Sequence, residues 1–140
     1  MERICLGGIS DLFFVRFPKK KKMKITKKHL KFFKKECDKW IKRFELNNFK
    51  VHYFLEDLDG CYAEISINLK GFVASVYLSN DINTSDAETV YSIIKESAKH
   101  EMIHLLLAKL GVMSRSREYT AQDCLEAEEE IVRKLEKIIN

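Results

Sequence analysis

The feature that most constrains this fold is a long helical stretch that carries two histidines four residues apart, His100 and His104. An S-x-x-E capping box at residues 85–88 predicts where the helix begins, and Gly111 predicts that it ends near residue 109. Residues four apart lie on the same face of a helix, so both imidazoles can approach one metal ion from the same side. The stretch therefore predicts a helix with a candidate metal site on one face.

Glu101 completes the pattern H-E-x-x-H, which is typical of zinc peptidases. It directly follows the first histidine, so it can reach a metal-bound water as a general base without being a ligand itself. The alternative is an amphipathic helix that carries two histidines by chance. That alternative leaves two imidazoles and a carboxylate on an inward-facing apolar stripe, which costs on the order of several kcal/mol unless a metal or other partners compensate.

The remaining pattern predicts an α+β domain. The first helix covers residues 26–46, with Thr26 as its N-cap and apolar residues at spacings of mostly three and four. Short strands joined by tight turns predict a three-stranded antiparallel sheet whose third strand lies on the outside. The strands are expected at residues 49–55, 61–69 and 72–78, and the last helix at about residues 121–139 with Thr120 as its N-cap.

The first 22 residues differ from the remainder of the chain. A short apolar run at residues 12–15 is interrupted by charges on both sides, and Pro18 precedes four lysines. The run lacks the features of a signal peptide, so we expect a flexible basic leader over residues 1–22 and one domain over residues 23–140. One hypothesis is that Met23 is the natural start.

Charge is unevenly distributed along the chain. Residues 1–50 hold 16 Lys and Arg against 5 Asp and Glu, a net of +11, whereas residues 51–140 hold 9 against 16, a net of −7. A basic first third is compatible with nucleic-acid binding. A solvated, lysine-rich helix face explains the same charges more simply, and we favour that interpretation.

The sequence also predicts the compartment. No apolar run approaches the roughly 18 residues that a membrane-spanning helix needs. The cysteines are widely spaced and contain no C-x-x-C pair, so we expect reduced thiols in a cytoplasmic protein. They are Cys5, Cys37, Cys61 and Cys124.

The last helix is the expected source of a third metal ligand. Glu128 lies three residues before Ile131 and seven before Leu135, which places it on the apolar stripe of that helix. Glu129 lies at the edge of the stripe and is the second choice. Two histidines, one glutamate and a water form a known catalytic zinc geometry. An acidic surface run without a ligand is the alternative.

These features together resemble the minimal gluzincin-type zincins, small phage and bacterial metallopeptidase-like proteins. The resemblance rests on the H-E-x-x-H-L-L-L run at residues 100–107 and the E-E-x-x-V-x-x-L-E run at residues 128–136, and it covers residues 23–140. It implies that His100 and His104 bind zinc and that Glu101 is the base. A glutamate near residue 128 would be the third ligand. No third histidine follows the first two, which excludes the metzincin pattern and disfavours the SprT-like one.

The expected activity is zinc-dependent hydrolysis of a peptide or protein substrate. Glu101 would take a proton from the zinc-bound water and pass it to the leaving amine. The outer strand, residues 72–78, would hold an extended peptide by β-addition, and Arg117 and Tyr119 are weak candidates for stabilising the oxyanion. The alternatives are an inactive zincin fold that binds metal as an interaction protein, and a nucleic-acid-associated protein that uses the basic first helix.

Overall fold

The computed structural model describes the backbone of residues 3–7 and the complete residues 21–139. The described chain is α+β, as predicted, and none of the helices in these ranges is long and apolar enough to cross a membrane. In chain order the elements are β1 (Arg3–Gly7), β2 (Met23–Lys24), α1 (Lys27–Arg43), β3 (Lys50–Glu56), β4 (Cys61–Asn68), β5 (Val73–Ser79), β6 (Asp81–Ile82), α2 (Ala87–Arg115) and α3 (Ala121–Glu136).

The main sheet is mixed, not antiparallel, and has the strand order β1-β4-β5-β3. β4 pairs with β1 and β5 in antiparallel fashion, whereas β3 and β5 are parallel. A tight turn joins β4 directly to β5, so β5 enters the sheet between β4 and β3, and β3 and β5 both run opposite to β4. β5 is therefore an internal strand, and the prediction that residues 72–78 form the outer strand is wrong.

Three short strand segments were absent from the sequence prediction. The backbone of Arg3–Gly7, which lies within the leader expected over residues 1–22, pairs with β4. Residues 1–2 and 8–20 of that leader lie outside the described residues. Met23–Lys24 pairs with Asp81–Ile82 in a separate small sheet. Strands of two residues are too short to show an alternating pattern.

Two helices cover one face of the main sheet. Alternate residues of β4 and β5 point towards the helices and are buried, which confirms the period-two pattern of these strands. α1 contributes Phe33, Cys37 and Ile41 from its apolar stripe, and Thr26 is its N-cap as predicted. The buried residues of the sheet and α2 that complete this core include Ala63, Ile65, Ala74, Val76, Leu78, Val90, Ile94, Ala98, Met102 and Leu105.

α2 begins one residue later and ends several residues later than the sequence predicts. The N-cap is Asp86, whose carboxylate accepts from the backbone N–H of Thr89 at 3.0 Å. At the other end the helix continues through Gly111. The side chains of Ser114 and Arg115 both donate to the Gly111 carbonyl oxygen. Those hydrogen bonds stabilise a further turn, although glycine disfavours a helix interior by about 1 kcal/mol.

The cysteines are not all reduced thiols. Cys61, the first residue of β4, is disulfide-bonded, so the prediction of reduced cysteines is wrong at this position. Cys37 and Cys124 are free thiols. Cys37 is fully buried on the face of α1 that packs into the core.

Candidate metal site on helix α2

His100 and His104 lie together on one flank of α2. Their Nε2 atoms are 3.0 Å apart, and their ring centroids are 4.7 Å apart. Both side chains are half-buried. The spacing of four residues brings the rings one above the other, as predicted for this helix.

The separation of the two ring nitrogens is close to what a shared metal requires. Zinc binds imidazole nitrogen at about 2.0–2.1 Å, so two ligands at a tetrahedral angle lie about 3.3 Å apart. The observed 3.0 Å differs from this by an amount that a small ring rotation would supply. The same distance allows one ring N–H to donate to the other ring nitrogen, so the pair also has an internal partner.

The protonation of His104 suits a metal ligand. Burial lowers the pKa of His104 below its usual value of 6.5, and the neighbouring His100 lowers it further. A metal binds the neutral form of imidazole. His104 is therefore in its ligand form at neutral pH.

Glu101 is fully buried on the side of α2 that faces the core. Its side chain is 0% exposed, and neither carboxylate oxygen has a hydrogen-bond partner within the described part of the chain. Burial raises its pKa to about 8, with a smaller contribution from the charge of Glu64. Without a nearby cation, Glu101 is thus mostly protonated at neutral pH.

Sequence reasoning did not identify two groups that interact electrostatically with Glu101. Glu64 on β4 raises the pKa of Glu101, and the charge of Glu101 contributes to the raised pKa of Cys37, whose main cause is burial. In the sequence pattern, Glu64 is at a solvent-facing position of a strand with alternating polar and apolar residues, and Cys37 is on the apolar stripe of α1. The sequence around either residue does not predict its electrostatic interaction with Glu101, because tertiary packing brings these groups together.

Glu128 does not lie on the buried face of α3. Its side chain is exposed, and the buried residues of this helix are Ala127 and Ile131. The packed face of α3 is thus centred one position before the apolar stripe on which the sequence places Glu128. Glu129 is also exposed and accepts from Arg133 at 3.2 Å.

No group of three His, Cys, Asp or Glu side chains suited to a metal occurs within residues 21–139. The structure brings His100 and His104 together but does not add Glu128 to them. Arg117 and Tyr119 are exposed. Tyr119 lines a pocket of about 330 Å³ that includes neither histidine.

A groove of about 340 Å³ lies beside His100. Ser97, His100 and Ile103 contribute to its wall. It is an open surface through which a ligand can approach this imidazole.

Comparisons of the chain with protein family models, curated proteins and solved structures find no match.

Proposed function

We propose that this chain binds zinc through His100 and His104 and acts as a metallopeptidase-like hydrolase, with Glu101 as the proton acceptor. The observation that carries the proposal is the 3.0 Å separation of two imidazole nitrogens on a helix that also holds a buried carboxylate, for which the described residues supply no hydrogen-bond partner. The sequence pattern predicts Glu128 as the third ligand, whereas its exposed side chain weighs against that role.

A bound cation would offset the cost of burying the Glu101 carboxylate. A buried carboxylate without a partner is unfavourable unless it is protonated or compensated by a positive charge. A divalent ion beside His104 would lower the pKa of Glu101 and restore the carboxylate that a general base needs. His104 supports the same arrangement, because its lowered pKa keeps the ring neutral.

Each side chain has a defined part in such a reaction. When bound, zinc would supply Lewis acidity towards a carbonyl and a lowered pKa of a water ligand. His100 and His104 would hold the ion. Glu101 would accept a proton on its carboxylate and return it to the leaving amine, and the groove beside His100 would admit the peptide.

A second candidate function is zinc binding without hydrolysis. Two observations favour it: Glu101 is completely buried, and the described residues place no third protein ligand beside the histidines. A carboxylate that cannot contact substrate water does not act as a base. In this alternative the metal would stabilise the packing of α2 in an interaction protein.

Zinc titration of the purified protein tests whether the metal site exists. We expect one zinc per chain, and we expect loss of that zinc in His100→Ala and in His104→Ala. His52→Ala is the matched control, because His52 is an exposed histidine on β3, far along the chain from α2. Unchanged zinc binding in both α2 variants, or equal loss in the control, would refute the site.

Peptide-library cleavage by the zinc-loaded protein separates the two functions. Hydrolysis predicts cleavage by the wild type and at least about a hundredfold loss in Glu101→Gln, which is the range that general-base catalysis contributes. Stoichiometric zinc without cleavage by either protein would support the binding-only function. Equal cleavage by both proteins would show that Glu101 is not the base.

A further inference from the structure

The outward face of α1 is uniformly basic. Four lysines, at positions 28, 31, 35 and 42, recur at helical spacing on this face, and each of them is exposed. From Lys28 to Lys42 the helix advances by 14 residue steps, a length of about 21 Å. We call these four residues the lysine stripe.

The acidic residues of α1 do not neutralise the stripe. Glu36 is 3% exposed and pairs with Lys39, while Asp38 is half-buried and accepts from the Tyr53 hydroxyl at 3.3 Å. Over the whole helix eight Lys and Arg stand against two Asp and Glu, a net of +6. Within residues 21–139, no ion pair involves a member of the stripe, and all four lysine side chains are exposed to solvent.

The opposite charge is concentrated on a different helix. α3 holds six Asp and Glu against two Lys and Arg, a net of −4. Such separation of charge causes a protein to approach a polyanion with its basic side first.

We infer that the lysine stripe binds the phosphate backbone of a nucleic-acid duplex without sequence specificity. Lysines supply phosphate contacts that position a protein on a duplex but do not identify bases. This function is separate from the proposed metal site, because none of the stripe residues lies on α2.

The aromatic residues of α1 favour a duplex over a single strand. Single-strand binding proteins present free aromatic faces on which bases stack. On α1, Phe32 packs edge-on against Tyr91, and Trp40 stacks on Phe44 with Arg43 on its ring. These rings are engaged within the protein and offer no stacking platform.

The same helix is poorly suited to a membrane surface. An interfacial helix inserts an apolar face between lipids. The apolar face of α1 is Phe33, Cys37 and Ile41, which are buried in the core. The large apolar side chains that are exposed lie on other elements of the described chain.

Fluorescence anisotropy with labelled duplexes of about 25 base pairs tests the inference. Four phosphate contacts predict a slope of log K against log salt of about −3.6, so the affinity should fall about 150-fold between 50 and 200 mM salt. Lys31→Gln/Lys35→Gln should reduce the slope to about −1.8 and the loss to about 12-fold. Lys50→Gln/Lys70→Gln is the matched control, since both lysines are exposed and lie off α1.

Several results would overturn the inference. These are no duplex binding at 50 mM salt, an equal effect of both double variants, tighter binding of a single strand of the same length, and binding only to anionic lipid vesicles. DNA and RNA duplexes are measured in parallel. Binding of either duplex supports the inference, and their comparison identifies the physiological form. Circular dichroism confirms that both double variants fold.

Discussion

Lys109 Nζ donates to Glu130 Oε2 at 3.1 Å, a pair that joins α2 to α3. Lys109 lies five residues after His104, which is about 140° around the helix. α3 therefore packs near one flank of α2 while the histidines occupy another. This relation explains why an acidic run on the last helix, although close to α2, does not approach the imidazoles.

The position of α3 predicts that Glu128 does not hold the metal. Glu128→Gln should bind zinc with unchanged affinity, because the side chain is exposed and α3 packs through Ala127 and Ile131. His104→Gln should lose the metal in the same titration. A tenfold or larger loss of affinity in Glu128→Gln would show that α3 rearranges to complete the site, as the sequence pattern suggested.

The raised pKa of Glu101 predicts an unusual dependence of stability on pH. An acid whose pKa is about 8 in the folded state and 4.5 in the unfolded state binds its proton preferentially when folded. The contribution of Glu101 to the free energy of unfolding is therefore fully present below pH 4.5, and it is lost as the pH rises towards 8. In Glu101→Gln this loss should disappear, so the variant should be more stable than the wild type at pH 8.5.

Chemical denaturation in the presence of a chelator at pH 5.5, 7 and 8.5 measures this effect. Glu128→Gln is the control, because its exposed carboxylate should leave the pH profile unchanged. Identical profiles for the wild type and Glu101→Gln would contradict the burial of Glu101. Added zinc should flatten the wild-type profile, because a nearby cation stabilises the carboxylate.

The N-cap of α2 predicts different effects for two adjacent residues. Asp86→Ala should lower the free energy of unfolding by about 1 kcal/mol, because it removes the side-chain acceptor for the Thr89 N–H. Ser85→Ala should change it by less than about 0.5 kcal/mol. Urea denaturation of the two variants measures the difference. A larger effect at Ser85 would restore the capping box that the sequence suggested.

The bonded state of Cys61 predicts how the thiols react. In denaturant without reductant, Cys124 and Cys37 should be alkylated, whereas Cys61 should be alkylated only after reduction. Peptide mass mapping distinguishes the sites. Alkylation of Cys61 without reductant in protein purified under air would contradict the disulfide and would agree with the reduced cysteines expected from the sequence.

Local sequence patterns determined the parts of this protein that depend on neighbours along the chain. The apolar spacing and Thr26 predicted α1, Thr120 predicted the start of α3, and the four-residue spacing predicted that His100 and His104 meet. These features follow from helix geometry and from side chains that satisfy the first backbone N–H groups, and both are short-range.

Tertiary structure alone decided the features that depend on distant segments. The insertion of β5 between β4 and β3 made β3 and β5 parallel, and packing placed Ala127 instead of Glu128 against the core. A one-residue difference in the centre of a helical stripe rotates the buried face by about 100°, which apolar spacing in a mixed sequence does not resolve. The burial of Glu101, and with it the raised pKa, likewise arises only when α1, α2 and the sheet pack together.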